Sequence, residues 1–442
     1  MIFLKLRKLQ RNLPQQIFLL DSMFSKYNHY KRSNGEIVIY NSLSDKLDRI
    51  SEQEFKNLSE DTDNQIISDE LFNRLYRQDM IVDKNLDEAS KTIHRYNKAT
   101  FSRQLHVVLL VTTDCNFSCS YCYQDYDKMY INSDFIETFS KFIVRNIDKY
   151  DGVYIEWFGG EPLLLKRKVI ELSTLVQNIC KKNKVTYIGT ITTNGFYLDE
   201  QTAFDLIKSG IKFFQVTLDG DESSHNTLRK SKNGKGSYRR ITNNLINIKQ
   251  NLPQNLFFRI GVRNNISKFN INSSSFNFFK KYLEGDRRFS YFQYPIKNWG
   301  GNKVINIKDD LLTDDTNLID TDQASNFSRP YSRRLCYVSK SNGFAITPDL
   351  KVYKCHHFVG SYYIPKLNLM NVYGEISKNG NLINNEGAEI DWTYTNVGEE
   401  CKKCCFLPNC MFDRCPLRKM EFTKICKEQQ KQYVQNKLSK IK

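Results

Sequence analysis

Three cysteines lie close together in the segment VTTDCNFSCSYCYQDY, residues 111–126. Cys115, Cys119 and Cys122 are separated by three and then by two residues, so their thiols can converge on one point. A structural zinc site needs four ligands and a disulfide needs two, so three thiols complete neither. Thiolate is a soft ligand that suits zinc, copper(I) and iron–sulfur clusters. A four-iron cluster held by three cysteines would leave one iron open to a small chelating molecule.

The twelve cysteines of the 442-residue chain are not scattered. Eleven of them lie at 115–122 and 336–426, and Cys180 alone stands apart on the apolar stripe of a predicted helix, where we expect a buried, inert thiol. The N-terminal segment is a poor secretory signal. The sequence has no run of eighteen or more apolar residues, so we expect no membrane-spanning helix. We therefore expect a cytoplasmic protein, in which clustered cysteines indicate metal binding or catalysis rather than disulfides.

Alternating strands and helices follow from about residue 105. Apolar runs predict six strands, at 105–113, 152–158, 186–193, 212–219, 256–262 and 288–294. Helical patterns separate them, which is typical of a parallel α/β sheet, and six crossovers could curl into a partial (β/α)6 barrel. The strand ends carry unusual residues: Cys115, GGEP (159–162), TTNG (192–195) and LDG (218–220). We expect all of them at one rim of the barrel, where catalytic groups of such folds lie.

Two further regions flank the barrel, which we predict over residues 103–325. Residues 1–98 show a hairpin pattern, GEIVIYNSLSDKLDRI, followed by short helical patterns, which predicts a small α+β, winged-helix-like domain. Residues 330–442 show little regular pattern and hold eight cysteines, so we expect metal to stabilise them. The predicted fold class is α/β, with a small N-terminal domain and a cysteine-rich C-terminal extension.

The three-cysteine spacing followed by Gly159-Gly160-Glu161-Pro162 resembles the radical S-adenosylmethionine (radical SAM) superfamily. TITTNG, VTLDGDESSHNTLR and IGVRNN resemble successive strand-end segments of the same barrel. The resemblance implies that the three cysteines bind a four-iron cluster whose open iron binds the amino and carboxylate groups of SAM. Reductive cleavage of SAM then yields methionine and a 5′-deoxyadenosyl radical, which abstracts a hydrogen atom from the substrate.

The same resemblance assigns contacts to SAM. The two glycines and the glutamate of GGEP would contact its amino group, and a tyrosine would pack beside its adenine. Physically, a glycine pair allows close approach of the backbone, and a carboxylate suits an ammonium group. The predicted contacts are Tyr121, Gly159, Gly160, Glu161, Thr192, Asn194 and Thr217.

The C-terminal cysteines resemble the SPASM extension of radical SAM enzymes, which carries two auxiliary four-iron clusters. By this resemblance the first auxiliary cluster is bound by Cys336, Cys355 and Cys415, and the second by Cys401, Cys404, Cys410 and Cys426. The chain departs from the pattern at two places. Four residues instead of three separate Cys410 from Cys415, and Leu350 occupies a position where a glycine is usual. The fourth ligand of the first cluster stays open between Cys405, water and substrate, and a zinc-ribbon module is the alternative for the whole region.

Radical SAM proteins with SPASM extensions include ribosomal-peptide maturases and anaerobic sulfatase-maturing enzymes. The residues before Cys115 resemble the layout of peptide maturases whose N-terminal domain binds a precursor's leader by strand addition. The net charge of +16 would suit an acidic leader, although the basic residues are spread out and local runs such as LRKSKNGKG (228–236) are short. We predict a peptide maturase that forms a thioether or carbon–carbon crosslink. We expect flavodoxin or ferredoxin as electron donor, and neither membrane nor nucleic acid as partner.

Two alternatives remain. One keeps the chemistry and changes the product to formylglycine in a sulfatase, in which case a sulfatase gene should lie nearby. The other is a metal-binding regulator whose N-terminal domain binds DNA, which predicts salt-sensitive DNA binding. The sequence singles out no general base, substrate or oligomeric state.

Overall fold

A computed structural model describes the following residues of the chain: 22–59, 67–124, 127–273, 275–297, 310–312, 335–360, 363–364, 369–393, 397–412, 431, 434, 435 and 438. The chain divides into two compact units, Met1–Ala99 with Thr395–Lys442, and Thr100–Tyr394. This division groups the last residues of the chain with the N-terminal ones, whereas the domain boundaries of the sequence analysis remain a prediction. Within the described ranges, no helix is both long and apolar enough to cross a membrane.

Among the described residues, two small antiparallel sheets and three helices form the N-terminal part of the first unit. They are β1 (Ser22–Phe24), β2 (Asn28–Ser33), β3 (Glu36–Asn41), β4 (Lys46–Ser51), α1 (Glu52–Ser59), α2 (Asp69–Arg77), β5 (Ile81–Asp83) and α3 (Glu88–Thr100). One sheet has the order β2-β3-β4, and the other pairs β1 with β5. Asn34 and Gly35 take φ values of 51° and 79°, the two-residue turn that joins β2 to β3. The predicted hairpin is present, and β2 adds a strand before it.

The β2-β3-β4 sheet is covered on both faces because successive residues of a strand point to opposite sides. Ile37 and Ile39 of β3 pack on one side against apolar residues of α1 and α2. Val38 and Tyr40 pack on the other side, with Phe406, Val434 and Leu438. The unit therefore has its own core, built around β3.

The second unit is built on a ten-stranded sheet. Its first part contains β6 (Gln104–Thr112), β7 (Phe117–Cys119), β8 (Gly152–Gly159), β9 (Thr186–Thr193), β10 (Ile211–Thr217), β11 (Arg229–Ser231), β12 (Arg259–Ile266) and β13 (Phe289–Pro295). Strands β6, β8, β9, β10, β12 and β13 pair in parallel in chain order. These are the six predicted strands, and the predicted partial barrel is confirmed. Strands β7 and β11 form a separate short antiparallel ladder.

In the part of the barrel that the structure describes, six helices follow the parallel strands: α4 (Ser133–Asn146), α5 (Lys166–Lys182), α6 (Glu200–Lys208), α7 (Glu222–Leu228), α8 (Tyr238–Asn251) and α9 (Phe276–Tyr282). Asn132, Asp199 and Asp221 precede α4, α6 and α7, and each side chain accepts a backbone N–H of the first turn. The apolar faces of the helices pack on alternate strand residues to form one continuous core, which includes Cys180 of α5 as an entirely buried thiol. The other strand residues are thereby left for the inner face of the barrel.

The sheet continues beyond the barrel, on the β6 side. β14 (Gly343–Ile346) pairs in parallel with β6, and β15 (Lys351–Tyr353), β18 (Val372–Ile376) and β19 (Leu382–Asn384) follow in antiparallel order. A small ladder joins β16 (Tyr363–Ile364) to β17 (Leu369–Met370), and α10 (Glu386–Thr393) follows β19. This region has more regular structure than its sequence pattern indicates. Two short helices of the first unit, α11 (Glu399–Lys402) and α12 (Leu407–Phe412), end the described elements.

Candidate active site

The three-cysteine loop leaves β6 directly, and backbone and side-chain contacts fix its first part. Asp114 accepts the N–H of Cys115 at 2.9 Å and a hydrogen bond from Lys232 at 2.8 Å. The Cys115 sulfur accepts the N–H of Phe117 at 3.3 Å. Among the described residues, Cys115, Cys119 and Cys122 form no disulfide. The loop thus carries three cysteines outside any disulfide at the carboxyl end of the first barrel strand.

These thiols supply three of the four ligands of a four-iron cluster and would leave one iron open. Within the described part of the chain, no three His, Cys, Asp or Glu side chains are close enough together to hold a single metal ion. A four-iron cluster differs because each thiolate binds its own iron. Burial and the nearby charge of Glu161 raise the pKa of Cys115 to about 12. Since a ligand cysteine must be deprotonated, cluster binding would release a proton at this thiol.

The glycine pair of GGEP lets the end of β8 lie directly against the end of β6. A Cβ atom on Gly159 would lie 2.1 Å from the Thr112 carbonyl oxygen, and one on Gly160 would lie 2.2 Å from that of Asp114. Gly159 also takes a φ of +124°, which side chains disfavour. Gly160 donates its N–H to Thr112 at 2.8 Å. The glycines are therefore required by the protein's own backbone, in addition to any approach to a ligand.

The Glu161 side chain is entirely buried and connects the ends of β8 and β9. Its carboxylate accepts hydrogen bonds from the Thr193 hydroxyl at 2.7 Å, the Asn194 N–H at 2.7 Å and the Leu163 N–H at 3.0 Å. Burial raises the pKa of Glu161, and these three donors oppose the shift. These three bonds use three of the roughly four lone-pair sites of a carboxylate, so little acceptor capacity is left for an ammonium group. The contact of GGE with SAM remains a prediction.

Asn194 is a predicted SAM contact that lies beside the first cysteine of the loop. Its side-chain amide nitrogen donates to Asn116 Oδ1 at 2.7 Å and lies 4.0 Å from the Cys115 sulfur. Thr192 lies on the same strand end and donates to Glu156 at 3.4 Å. Thr217 is buried at the end of β10. The ends of β9 and β10 therefore adjoin the loop as predicted, while the assignment of these residues to SAM stays a prediction.

Tyr121 lies in a buried polar cluster with Asp219, Arg229 and Asn265. Its hydroxyl donates to Asp219 Oδ2 and accepts from Arg229 Nη1 at 2.5 Å and from Asn265 Nδ2 at 3.1 Å. Asp219 also accepts the Asn265 N–H at 2.7 Å, and its own N–H donates to His225 Nδ1 at 3.2 Å. Burial raises the pKa of Tyr121 well above its usual value. This hydroxyl therefore anchors the cysteine loop to β10 and β12, and its predicted place beside adenine remains untested.

The structure also reveals two features that sequence reasoning missed. One is the Asp219–Arg229–Asn265 group, whose members are far apart in sequence. The other is Glu156, which alternates with the core residues Ile155 and Trp157 and therefore lies on the inner face of β8. Strict alternation in GVYIEWFG is the signal that identifies Glu156 as an inward-facing carboxylate.

The cysteines predicted for the first auxiliary cluster are partly described. The Tyr337 hydroxyl accepts the N–H of His356 at 2.8 Å, which connects the residue after Cys336 to the residue after Cys355. Neither Cys336 nor Cys355 forms a disulfide with another described cysteine. Leu350 takes a φ of 65°, the left-handed conformation that glycine favours, so the backbone at this position keeps the turn although the glycine is replaced. Cys415 lies outside the described residues.

The second predicted auxiliary set lies in the first unit. Cys401 is in α11, Cys404 follows it with its N–H bonded to the Cys401 carbonyl at 3.1 Å, and Cys410 is in α12. Among the described residues, these three cysteines and Cys405 form no disulfide. Cys426 lies outside the described residues. Both auxiliary assignments therefore remain predictions.

Comparison with known proteins agrees with this arrangement. Residues 109–269 match the family model of the Radical SAM superfamily. The chain is 23% identical over 376 residues to a serine-type anaerobic sulfatase-maturating enzyme of Bacteroides thetaiotaomicron, covering 74% of this chain and 86% of the relative. Among solved structures, a histidine-tagged form of anSMEcpe with bound AdoMet is similar, with a TM-score of 0.50 and 16% identity, over 76% of this chain and 97% of that one.

A weaker likeness covers more of the chain. Streptococcus suis SuiB bound to precursor peptide SuiA matches with a TM-score of 0.44 and 13% identity, over 91% of this chain and 97% of that chain. The anSMEcpe match, at 16% identity, shows a likeness of fold alone, and the family match runs from β6 to the segment after β12. A radical SAM domain implies one four-iron cluster and SAM, which fits the three cysteines of the loop. Residues 109–269 therefore form a radical SAM domain within this enzyme.

Proposed function

We propose that this enzyme is a maturase that forms a thioether or carbon–carbon crosslink in a ribosomally made peptide. The observation that carries the proposal is an accessible sheet edge in the first unit, formed by β2. The register of β2 on β3 and the two-residue turn between them direct the N–H and C=O groups of Tyr30 and Arg32 away from β3. Such an edge accepts an extended peptide as an additional strand.

A groove lies beside this edge. Its volume is about 260 Å³, and it is lined by Asn28, His29, Tyr30, Phe406, Lys431, Val434, Gln435 and Leu438. Side chains of a peptide added to β2 could enter it. Lys31, Arg32 and Lys431 make the surroundings basic, which suits an acidic leader. Lysine and arginine on an edge strand also oppose aggregation, which gives the positive charge a second explanation. The groove therefore supports the proposal more strongly than the charge does.

The chemistry of crosslinking assigns roles to residues of the barrel. The cluster and SAM, when bound, supply a radical that removes one hydrogen atom from the substrate. A crosslink removes a second hydrogen, which leaves as a proton and an electron. We assign the proton to the carboxylate of Glu156, which lies on the inner face of β8 and accepts from Thr192. The electron would pass to an auxiliary cluster or to an external carrier such as flavodoxin or ferredoxin.

The function is tested with short peptides encoded beside the gene, incubated anaerobically with reconstituted enzyme, SAM and dithionite. A crosslink appears in mass spectrometry as the loss of two hydrogen atoms, without a new aldehyde. If no neighbouring peptide changes mass while SAM is cleaved, the crosslinking proposal is wrong.

The name of the Bacteroides relative favours a second candidate, the oxidation of a serine or cysteine of a sulfatase to formylglycine. This product is an aldehyde, which a hydrazide probe captures and a crosslinked peptide does not. The same incubation with a sulfatase-derived peptide therefore separates the two candidates.

Replacing Tyr30 by proline should weaken peptide binding at least tenfold, about 1.4 kcal/mol. Proline removes the outward N–H, and an edge strand tolerates it because no ladder hydrogen bond within the sheet is lost. Fluorescence anisotropy with the labelled peptide measures the change. Tyr30→Ala keeps the N–H and removes the half-exposed ring, so it should bind more tightly than Tyr30→Pro. Equal affinity of wild type and Tyr30→Pro would exclude strand addition at this edge.

Replacing Cys404 and Cys410 by alanine should lower the iron content and leave part of the SAM cleavage. The reason is that these thiols belong to the second proposed auxiliary set and not to the loop after β6. Metal analysis and 5′-deoxyadenosine formation are measured on the same sample. Loss of zinc with unchanged iron would instead identify the zinc-ribbon alternative.

A further inference from the structure

Arg229 is a buried cation beside the cysteine loop. It is 8% exposed, and the β7–β11 ladder places it directly opposite Cys119. Residues opposite each other in an antiparallel pair carry their side chains on the same face, about 5 Å apart at Cβ. Its guanidinium carbon lies 5.8 Å from the ring centre of Phe117, in the same loop. Arg229 is therefore held against the backbone segment that carries Cys119.

The polar contacts of Arg229 are incomplete within the described residues. Nη1 donates to Tyr121 and lies 3.5 Å from Asp219 Oδ2. Nε is buried and has no hydrogen-bond partner among the described residues. An unpaired buried N–H costs about 1–3 kcal/mol, so a native structure normally supplies an acceptor. Burial alone would lower the pKa of Arg229, but the charges at Cys119, Tyr121 and Asp219 raise it well above its usual value.

We propose that Arg229 is the positioning residue and counter-cation of the three-cysteine cluster, with its Nε–H donating to cluster-bound sulfur at Cys119. The proposal rests on binding of the cluster by the three-cysteine loop. It assigns a role to a residue that lies outside the sequence motif of that loop. Hydrogen bonds to the sulfurs and nearby charge set the potential of such clusters. A fixed positive charge stabilises the form that has gained an electron, so Arg229 should raise the reduction potential.

Replacing Asp219 should shift the reduction potential in the direction opposite to the shift expected on replacing Arg229. Its carboxylate is entirely buried and partly compensates the guanidinium charge. Replacing it by asparagine keeps a side chain of the same shape and removes the negative charge. The potential should then rise, because Arg229 acts on the cluster without compensation.

The test is an EPR-monitored titration of the full-length reconstituted protein, in which dithionite supplies one electron to the cluster. The signal that changes on addition of SAM is followed, together with iron per chain. For Arg229→Met the ratio of reduced to oxidised cluster at a fixed potential should fall about tenfold, a shift of about 59 mV for a one-electron couple. Arg229→Lys should recover part of the shift because it keeps the charge, and Asp219→Asn should shift the potential upward.

Arg288 provides a matched control. It is also a buried arginine, 2.7 Å from Asp286 and packed over Phe258, but it lies just before β13, at the amino end of that strand. Arg288→Met should destabilise the fold and leave the potential unchanged. An intact signal at unchanged potential in Arg229→Met, or in Asp219→Asn if the first variant does not retain its cluster, would overturn the proposal. No SAM-responsive signal in the wild type would instead show that the cluster assignment itself is wrong.

Discussion

Replacing Cys115, Cys119 and Cys122 by alanine is expected to abolish the formation of 5′-deoxyadenosine from SAM. The three thiols are the donor set at the end of β6, and without them no cluster can bind SAM or transfer an electron to it. We expect a loss of at least about a thousandfold, more than about 4 kcal/mol in the barrier. The measurement is chromatography of anaerobic incubations with SAM and dithionite.

Cys180→Ala is the matched control for this experiment. Cys180 is entirely buried in α5 among apolar core residues, so its loss should cost stability and leave SAM cleavage intact. Retained cleavage in the triple variant would show that the loop does not bind the cluster. Loss of cleavage in both variants would indicate general unfolding, which circular dichroism detects.

Replacing Gly159 by alanine is expected to lower the free energy of unfolding by about 3 kcal/mol or more and to prevent cluster binding. The new Cβ would meet the Thr112 carbonyl oxygen at 2.1 Å, and this neighbour is backbone of β6 and cannot rotate away. Separation of β8 from β6 would also move the start of the cysteine loop. Urea unfolding and iron per chain report the two effects.

Gly234→Ala separates the steric effect from backbone strain. Gly234 also has a positive φ, +74°, but a Cβ there would meet nothing within 4 Å. Its replacement should cost only about 1 kcal/mol of conformational strain and leave the iron content unchanged. If both replacements lowered the free energy of unfolding equally, the close approach of β8 to β6 would not be the reason why glycine is required at position 159.

The barrel could be predicted from the sequence because its signals are local. Strand β9 occurs where its apolar run indicates, and α6 does as well. Strand β12 begins three residues later than predicted and continues through Asn264 and Asn265. These polar residues suggest the end of a strand, but Asn264 bonds to Tyr291 and Asn265 to Tyr121 in the buried interior. When a polar residue is buried by partners far away in the chain, the surrounding sequence gives no signal of that burial.

The parts of the candidate site that depend on local sequence could also be predicted. Cysteine spacing and GGEP lie in short segments, so they could be identified without a fold. Arg229 could not, because in LRKSKNGKG it resembles one more surface cation, and only the ladder with β7 brings it to Cys119. The strands β14, β15, β18 and β19 were missed for a related reason. They are short, and β14 is stabilised by pairing with a strand far away in the chain.

The pairing of β14 with β6 has a consequence for protein synthesis. While the chain leaves the ribosome, β6 has β8 on one side, but its other side stays an open hydrogen-bonding edge until Gly343–Ile346 has been made. Nascent chains with such edges are prone to mispairing with one another. The open edge belongs to the strand that leads into the cysteine loop, so slow translation or premature termination before residue 343 should favour aggregation over cluster insertion. Expression yield should therefore respond to chaperones that shield nascent strands.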